Sequence, residues 1–144
     1  MVRLAGGLLF TTSLVGCSPS QVVVYTQLDP AREHLMKVCT AYIRYNTRYG
    51  KPPTGPDQLT PFLQELGSPA ELLRSPRDGE PFVICWGVDL STPQAWAMAT
   101  PVLAYERRGA DGKRYVLTTQ QSIVLMTAQE FRQASFPPGH SPPH

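Results

Sequence analysis

Residues 29–50, DPAREHLMKVCTAYIRYNTRYG, carry both ends of a helix and one apolar stripe between them, and no other stretch constrains the fold so tightly. An aspartate at position 29 can accept from the free amides of a first turn. Pro30 suits the first helical position, where its missing N–H is not needed, and Gly50 can take the left-handed conformation that closes a helix. At 100° per residue, Leu35, Val38, Cys39, Tyr42, Tyr45 and Tyr49 share one side, with Glu33, Lys37, Thr40, Arg44, Thr47 and Arg48 on the other. Glu33 precedes Lys37 by one turn in the favourable order, and Arg44 and Arg48 lie near the negative end of the helix dipole. The pattern predicts a helix roughly 30 Å long, able to serve as the spine of a small domain with a sheet on its apolar side.

The chain that follows is cut short repeatedly by proline. Fifteen prolines in 144 residues, about twice the usual share, favour fixed turns and short elements over long strands. After Gly50 the sequence predicts one turn at Pro56–Leu59, a piece from Pro61 to Leu66 capped by Thr60, and a third from Pro69 to Leu73 opened by a Ser68–Glu71 capping box. Phe82 to Trp86 reads as a short apolar strand after a turn at residues 77–81, whereas residues 87–101 carry no clear pattern. Val102–Arg107 and Arg114–Thr119 predict an antiparallel hairpin, Ile123–Met126 a further strand, and Thr127 with Glu130 a capping box for a helix through Ala134. The expected fold class is α+β: one long N-terminal amphipathic helix packed on a small antiparallel β-sheet, with short proline-bounded helices, over residues 29–135. Residues 136–144, FPPGHSPPH, have little to bury and predict a disordered, mobile Pro-rich tail.

Ahead of the helix, Arg3 precedes an apolar run from Leu4 to Val15, too short to span a bilayer but built like a secretory signal. Its last four residues, Leu14-Val15-Gly16-Cys17, resemble a bacterial lipobox. That resemblance implies a lipoprotein signal peptide over residues 1–16, a diacylglycerol thioether on Cys17, and a lipidated tether over residues 17–28. A thiolate is the side chain nucleophilic enough to take the lipid, and several acyl chains anchor stably where one does not. The plainer alternative is a cleaved signal followed by an incidental cysteine. Either way the chain is expected in the cell envelope, facing the periplasm. Ser18 stands where many lipoproteins carry the aspartate that retains them in the inner membrane, which by resemblance favours the outer membrane.

Removing 16 of 144 residues leaves 128, enough for one domain with a core. Arg3 leaves with the signal, so twelve basic residues face eleven acidic ones, a balance that gives no reason to expect nucleic acid as a partner. Cys39 on the helix face and Cys85 in the apolar strand have two readings in an exported protein. They form a disulfide that constrains the unfolded chain by about 4 kcal/mol, or they are two buried thiols.

Three passages point to a family. Tyr49-Gly50-Lys51-Pro52-Pro53 followed by Leu59 and Leu63 resembles the helix and Gly-x-x-Pro passage of type II secretion pseudopilins and related pilin-like proteins. Asp78-Gly79-Glu80-Pro81-Phe82 is similar to their turn before a strand, and Tyr115-Val116-Leu117 through Ser122-Ile123 to Glu130-Phe131 resembles the closing passage of planctomycete-type prepilin-like proteins. The resemblance implies a pilin-like globular head. Two departures matter: the lipobox replaces the prepilin's membrane-spanning helix with its glutamate, and Gln120-Gln121 stand where Asp-Gly is usual. Assembly into a pilus through the helix is therefore not implied.

No set of acid, base and nucleophile can be named. His34 has no sequence partner to orient it, His140 and His144 sit in the proline-rich tail, and Ser91, Ser122 and Ser135 lack an elbow motif. Asp78, Glu80, Asp89 and Asp111 do not follow a calcium-loop spacing, and turn chemistry accounts for the Asp-Gly pairs. No metal or cofactor is expected, and Trp86 and Trp96 read as core or rim packing. The feature offered to a partner is the basic cluster Arg107, Arg108, Lys113 and Arg114 at the hairpin tip. The expected function is that of a non-enzymatic, membrane-anchored structural or protein-interaction component, accessory to a type II secretion or pilus-like system. The alternative is a stand-alone periplasmic lipoprotein that binds a small ligand or envelope polymer.

Overall fold

The computed structural model describes residues 29–92 and 100–144. The signal peptide, Cys17, the tether and Trp96 lie outside the described residues. Helix α1 spans Pro30–Tyr49: Asp29 accepts from the Ala31 amide at 2.9 Å, and Gly50, at φ 64°, donates its N–H to the Asn46 carbonyl. Leu35, Val38, Cys39, Tyr42 and Tyr45 are buried as the periodicity predicts, joined by Ala31, Ala41 and Asn46. Tyr49 departs from that stripe. It is exposed, its ring lying against Tyr45 and Phe62 at the end of the helix.

Four antiparallel strands follow in spatial order: β1 Val83–Ile84, β2 Val102–Tyr105, β3 Lys113–Thr118 and β4 Ile123–Thr127. Leu35, Val38 and Tyr42 of α1 form the main core with Ile84, Leu103 and Leu117. A second cluster holds Val102, Tyr105 and Val116 with Phe131 of helix α4, Ala128–Gln133. The architecture is α+β, a four-stranded antiparallel sheet with a long helix. Among the described residues, no helix is long and apolar enough to cross a membrane.

The proline-bounded segment differs in detail from its expectation. Pro56 to Gln64 is one continuous helix, α2, with Pro61 inside it. Thr60 does not cap; its hydroxyl donates back to the Pro56 carbonyl at 3.2 Å, and Pro61 gives up one intrahelical N–H bond, too little to split a helix pinned by Leu59, Phe62 and Leu63. Helix α3, Pro69–Leu72, has no side-chain cap either: the Glu71 amide is satisfied by the Ser68 carbonyl, so the Ser68–Glu71 box does not form. The Thr127–Glu130 box does form, with bonds of 3.2 and 2.7 Å.

One further expectation is corrected, and of the two readings of the cysteines one is found. The segment from Phe136 is not a loose tail. Phe136 packs edge-on to Tyr105 and Phe131, Pro137 is buried, and His140 Nε2 donates to the Trp86 carbonyl at 3.0 Å. Proline content disfavours helix and strand but does not prevent an aromatic ring from docking on an open sheet face. Cys39 and Cys85 are free, buried thiols and not a disulfide pair. Burial pushes both up to about 11, so neither is a reactive thiolate at neutral pH.

The residue that ties helix to sheet is Tyr42. Its hydroxyl lies 3.0 Å from the Val88 carbonyl and 3.2 Å from the Cys85 carbonyl, and accepts from the Val88 amide at 2.9 Å. Asn46, one turn on, accepts from the Leu90 amide at 3.0 Å and donates to Asp89 at 3.2 Å. Together they hold residues 85–90 where regular pairing has ended. Tyr42→Phe is expected to lower stability by about 1–3 kcal/mol in urea unfolding, because the Val88 amide loses its acceptor. Thiol titration gives a second check. Cys39 and Cys85 should resist alkylation in the native protein and react fully in denaturant without reductant; a requirement for reductant would restore the disulfide.

Candidate functional site

The part of the surface built with most polar precision is where residues 74–81 meet the β2–β3 hairpin. Glu106 ends the apolar run of β2 and is fully buried, at 0% exposure. Its carboxylate accepts from Ser75 Oγ at 2.6 Å, Arg77 Nη1 at 2.7 Å and the Tyr115 amide at 2.8 Å. A buried carboxylate is tolerated only when paired and hydrogen-bonded in this way. Arg77 also donates to the Ala110 carbonyl at 3.2 Å and stacks over the Tyr115 ring at 4.7 Å.

Asp78 completes the clasp from the other side. One carboxylate oxygen accepts from the Glu80 amide at 2.9 Å, and the other from the Arg108 and Gly109 amides at 3.0 and 2.8 Å. Burial works to raise its pKa, but the amide donors outweigh it and hold the carboxyl below its ordinary value of 3.8. Gly109, at φ 73°, lets the chain pass close to Lys113; a Cβ there would run into the Lys113 carbonyl. The Asp78-Gly79 turn is thus more than a turn: it fixes the hairpin tip.

This clasp divides the basic cluster. Arg108 turns toward Glu80, at 3.6 Å, and Lys113 bonds through its backbone to Ala110. Arg107 and Arg114 instead line a cleft on the side of α4, with Arg114 stacked over Phe131 at 4.3 Å. The four residues do not form one patch. Arg132, which joins Arg107 and Arg114 in that cleft, carries no sequence signal beyond its place in a short helix.

A second surface feature is strand β4. Among the described residues it pairs with β3 alone, and Val124 and Leu125 are 43% and 42% exposed on its two faces. Ile123 opposes Leu117, beside which Met36 of α1 is 47% exposed, so apolar surface continues from the strand to the helix. β4 carries no lysine, proline or glycine that would blunt it.

The remaining candidates have structural partners. His34 Nδ1 donates to the Arg74 carbonyl at 2.9 Å, and Arg74 in turn donates to the Gly79 carbonyl. Asp89 accepts from the Ser91 hydroxyl and amide as well as from Asn46, and these donors lower its pKa. Among the described residues no three His, Cys, Asp or Glu side chains gather as a metal site. A cavity of about 340 Å³ lies beside Val88 and Thr119 under His140.

Sequence reasoning missed Glu106 and Asn46 as organising groups. The signal was present: a carboxylate closing the run Val102-Leu103-Ala104-Tyr105, and an amide on a helix stripe otherwise apolar, each demand partners once buried.

Asp78 supplies a pH test. The folded protein holds this proton less tightly than the unfolded chain, so its contribution is complete above 3.8 and is lost as pH falls through the lower folded value. Asp78→Asn should lower the urea midpoint at neutral pH, with the gap to the parent closing below about pH 4. Arg77→Met should cost more, about 3 kcal/mol, because Glu106 is left buried without its cation.

No family model, no curated protein and no solved structure matches this chain.

Proposed function

We propose that the chain is a membrane-anchored, non-enzymatic lipoprotein, held by lipid at Cys17, whose pilin-like domain serves as a structural or interaction component accessory to a type II secretion or pilus-like system. It faces the periplasm, on the outer membrane by the identity of Ser18. The observation that carries the interaction role is the edge strand: among the described residues β4 has a strand on one side only, and Val124 and Leu125 are exposed on it. Such an edge suits an incoming strand, with backbone bonds supplying affinity and side chains on both faces supplying selectivity. The rest of the sheet is less available. β1 has two residues, and β2 and β3 are paired on both sides.

The ligand-binding alternative has one observation in its favour, the cavity of about 340 Å³ near Trp86 and His140. Its size falls within the range of small-molecule sites. Among the described residues its lining brings no free carboxylate, Asp89 being engaged by Asn46 and Ser91.

Cross-linking in native membranes, followed by identification of what co-purifies, separates these readings. Cys17→Ser should move the protein from the membrane to the soluble fraction. Secretion or pilus components should be recovered with the parent protein and lost with both Cys17→Ser and the edge variant Val124→Lys/Leu125→Lys. Recovery of the protein alone would sink the accessory role and turn attention to the cavity.

A further inference from the structure

The α4 side of the sheet holds a feature that neither the edge strand nor the clasp explains. Arg107, Arg114 and Arg132 line one open cleft of about 700 Å³, walled on its far side by residues 141–144. They come from the turn after β2, from β3 and from α4, so their meeting is a product of the fold. Three positive charges at one cleft repel each other, and such groups normally find a carboxylate. Here the ion pairs among the described residues engage Lys37, Arg44, Arg77 and Arg108, and none engages these three. The carboxylate closest in sequence, Glu106, is buried and turned to Arg77 and Ser75; it gives Arg114 only its backbone carbonyl, at 3.5 Å.

Arg114 is also held in advance. Its guanidinium lies over Phe131, and Phe131 is packed between Tyr105 at 4.7 Å and Phe136 at 5.5 Å. A stacked guanidinium keeps its N–H edge free for an in-plane acceptor and loses little rotamer freedom on binding. Arg107 and Arg132 are exposed and can close on the same ligand. We propose that this cleft binds a phosphate ester, with Arg114 as the fixed donor and Arg107 and Arg132 completing the contact. Three forked donors exceed what one carboxylate can accept and match the several oxygens of a phosphate. The volume exceeds that of a bare phosphate and leaves room for an attached glycerol or sugar. The phosphate could belong to a lipid headgroup or to a free phosphorylated solute. This site stands whether or not Cys17 is lipidated or β4 binds a protein.

The test uses the full chain carrying Cys17→Ser, so that no acyl anchor contributes. Binding of glycerol phosphate is followed by calorimetry, and binding to vesicles by sedimentation, with phosphatidylcholine alone or doped with phosphatidylglycerol. Arg107→Ser/Arg132→Ser removes two cleft charges, and Arg108→Ser/Lys51→Ser removes the same net charge elsewhere; equal thermal midpoints establish that both variants fold. The cleft variant should weaken binding by about tenfold or more, with the charge-matched variant near the parent. Cleft-dependent retention on doped vesicles assigns the lipid headgroup as the source, and cleft-dependent binding of glycerol phosphate alone assigns a free solute. Equal loss in both variants, or no binding in either assay, overturns the site.

Discussion

The buried carboxylate of Glu106 is the constraint on which the arrangement of the surface depends. Leaving such a group without partners costs several kcal/mol, so its three donors must be in place together. The network joins three separate stretches: Ser75 and Arg77 from the loop after α3, the Tyr115 amide from β3, and the carboxylate itself from just after β2. Satisfying them at once orders a loop and a hairpin that contain little apolar surface of their own. Asp78 adds a second fastening through backbone amides at the hairpin tip. The consequence is directional. Arg107 and Arg108 are adjacent in sequence, yet one is committed to the α4 side and the other to Glu80.

The same logic explains why so short a chain covers both faces of its sheet. Every residue of β2 is buried, which one helix on one face cannot achieve. The far face is closed by Phe131 of α4 and by Phe136, whose rings meet over Tyr105. Pro137 and His140 then carry the chain back toward Trp86. Burial raises the Tyr105 pKa, as expected of a phenol enclosed by these rings. The proline-rich end is therefore part of the fold's second layer. Its prolines lower the entropy lost on docking, since each has φ already fixed.

How much of this was legible in the sequence follows from the range of the forces involved. Local signals read well. Asp29, Pro30 and Gly50 marked α1, and Thr127 with Glu130 marked α4, because capping depends on residues within one turn. The strand periods placed β2, β3 and β4 to within a residue or two. Ser68 failed as a side-chain cap because its own backbone carbonyl served the Glu71 amide, a competition that residue identity does not reveal. Long-range pairing was not legible: nothing near Glu106 in the chain points to Arg77, 29 residues earlier. The basic cluster at the hairpin was visible as composition, but its division depended on the clasp, and Arg132 entered the cleft only through packing of α4. Asn46 was passed over because an amide on an apolar stripe becomes informative only when its partners, Leu90 and Asp89, are known.

The position of Asp29 limits how the two proposed surfaces can be used. Its carboxylate lies 3.3 Å from the Tyr115 hydroxyl, and Tyr115 is paired with Leu125, so the point where the helix begins is one strand away from the open edge. Twelve residues separate position 17 from position 29, a span of at most roughly 40 Å when fully extended. With the proposed anchor at Cys17, the edge of β4 is therefore confined to a shallow zone above the bilayer. A strand arriving there must come from a protein that is itself near the membrane, which raises its effective concentration without new contacts. The arginine cleft is subject to the same tether but sits on the opposite face of the sheet, behind β3 and α4. The domain cannot lay both surfaces flat against one planar membrane. A headgroup in the cleft would turn the α1 face away from the bilayer and leave the β4 edge at the side, open to a partner standing alongside.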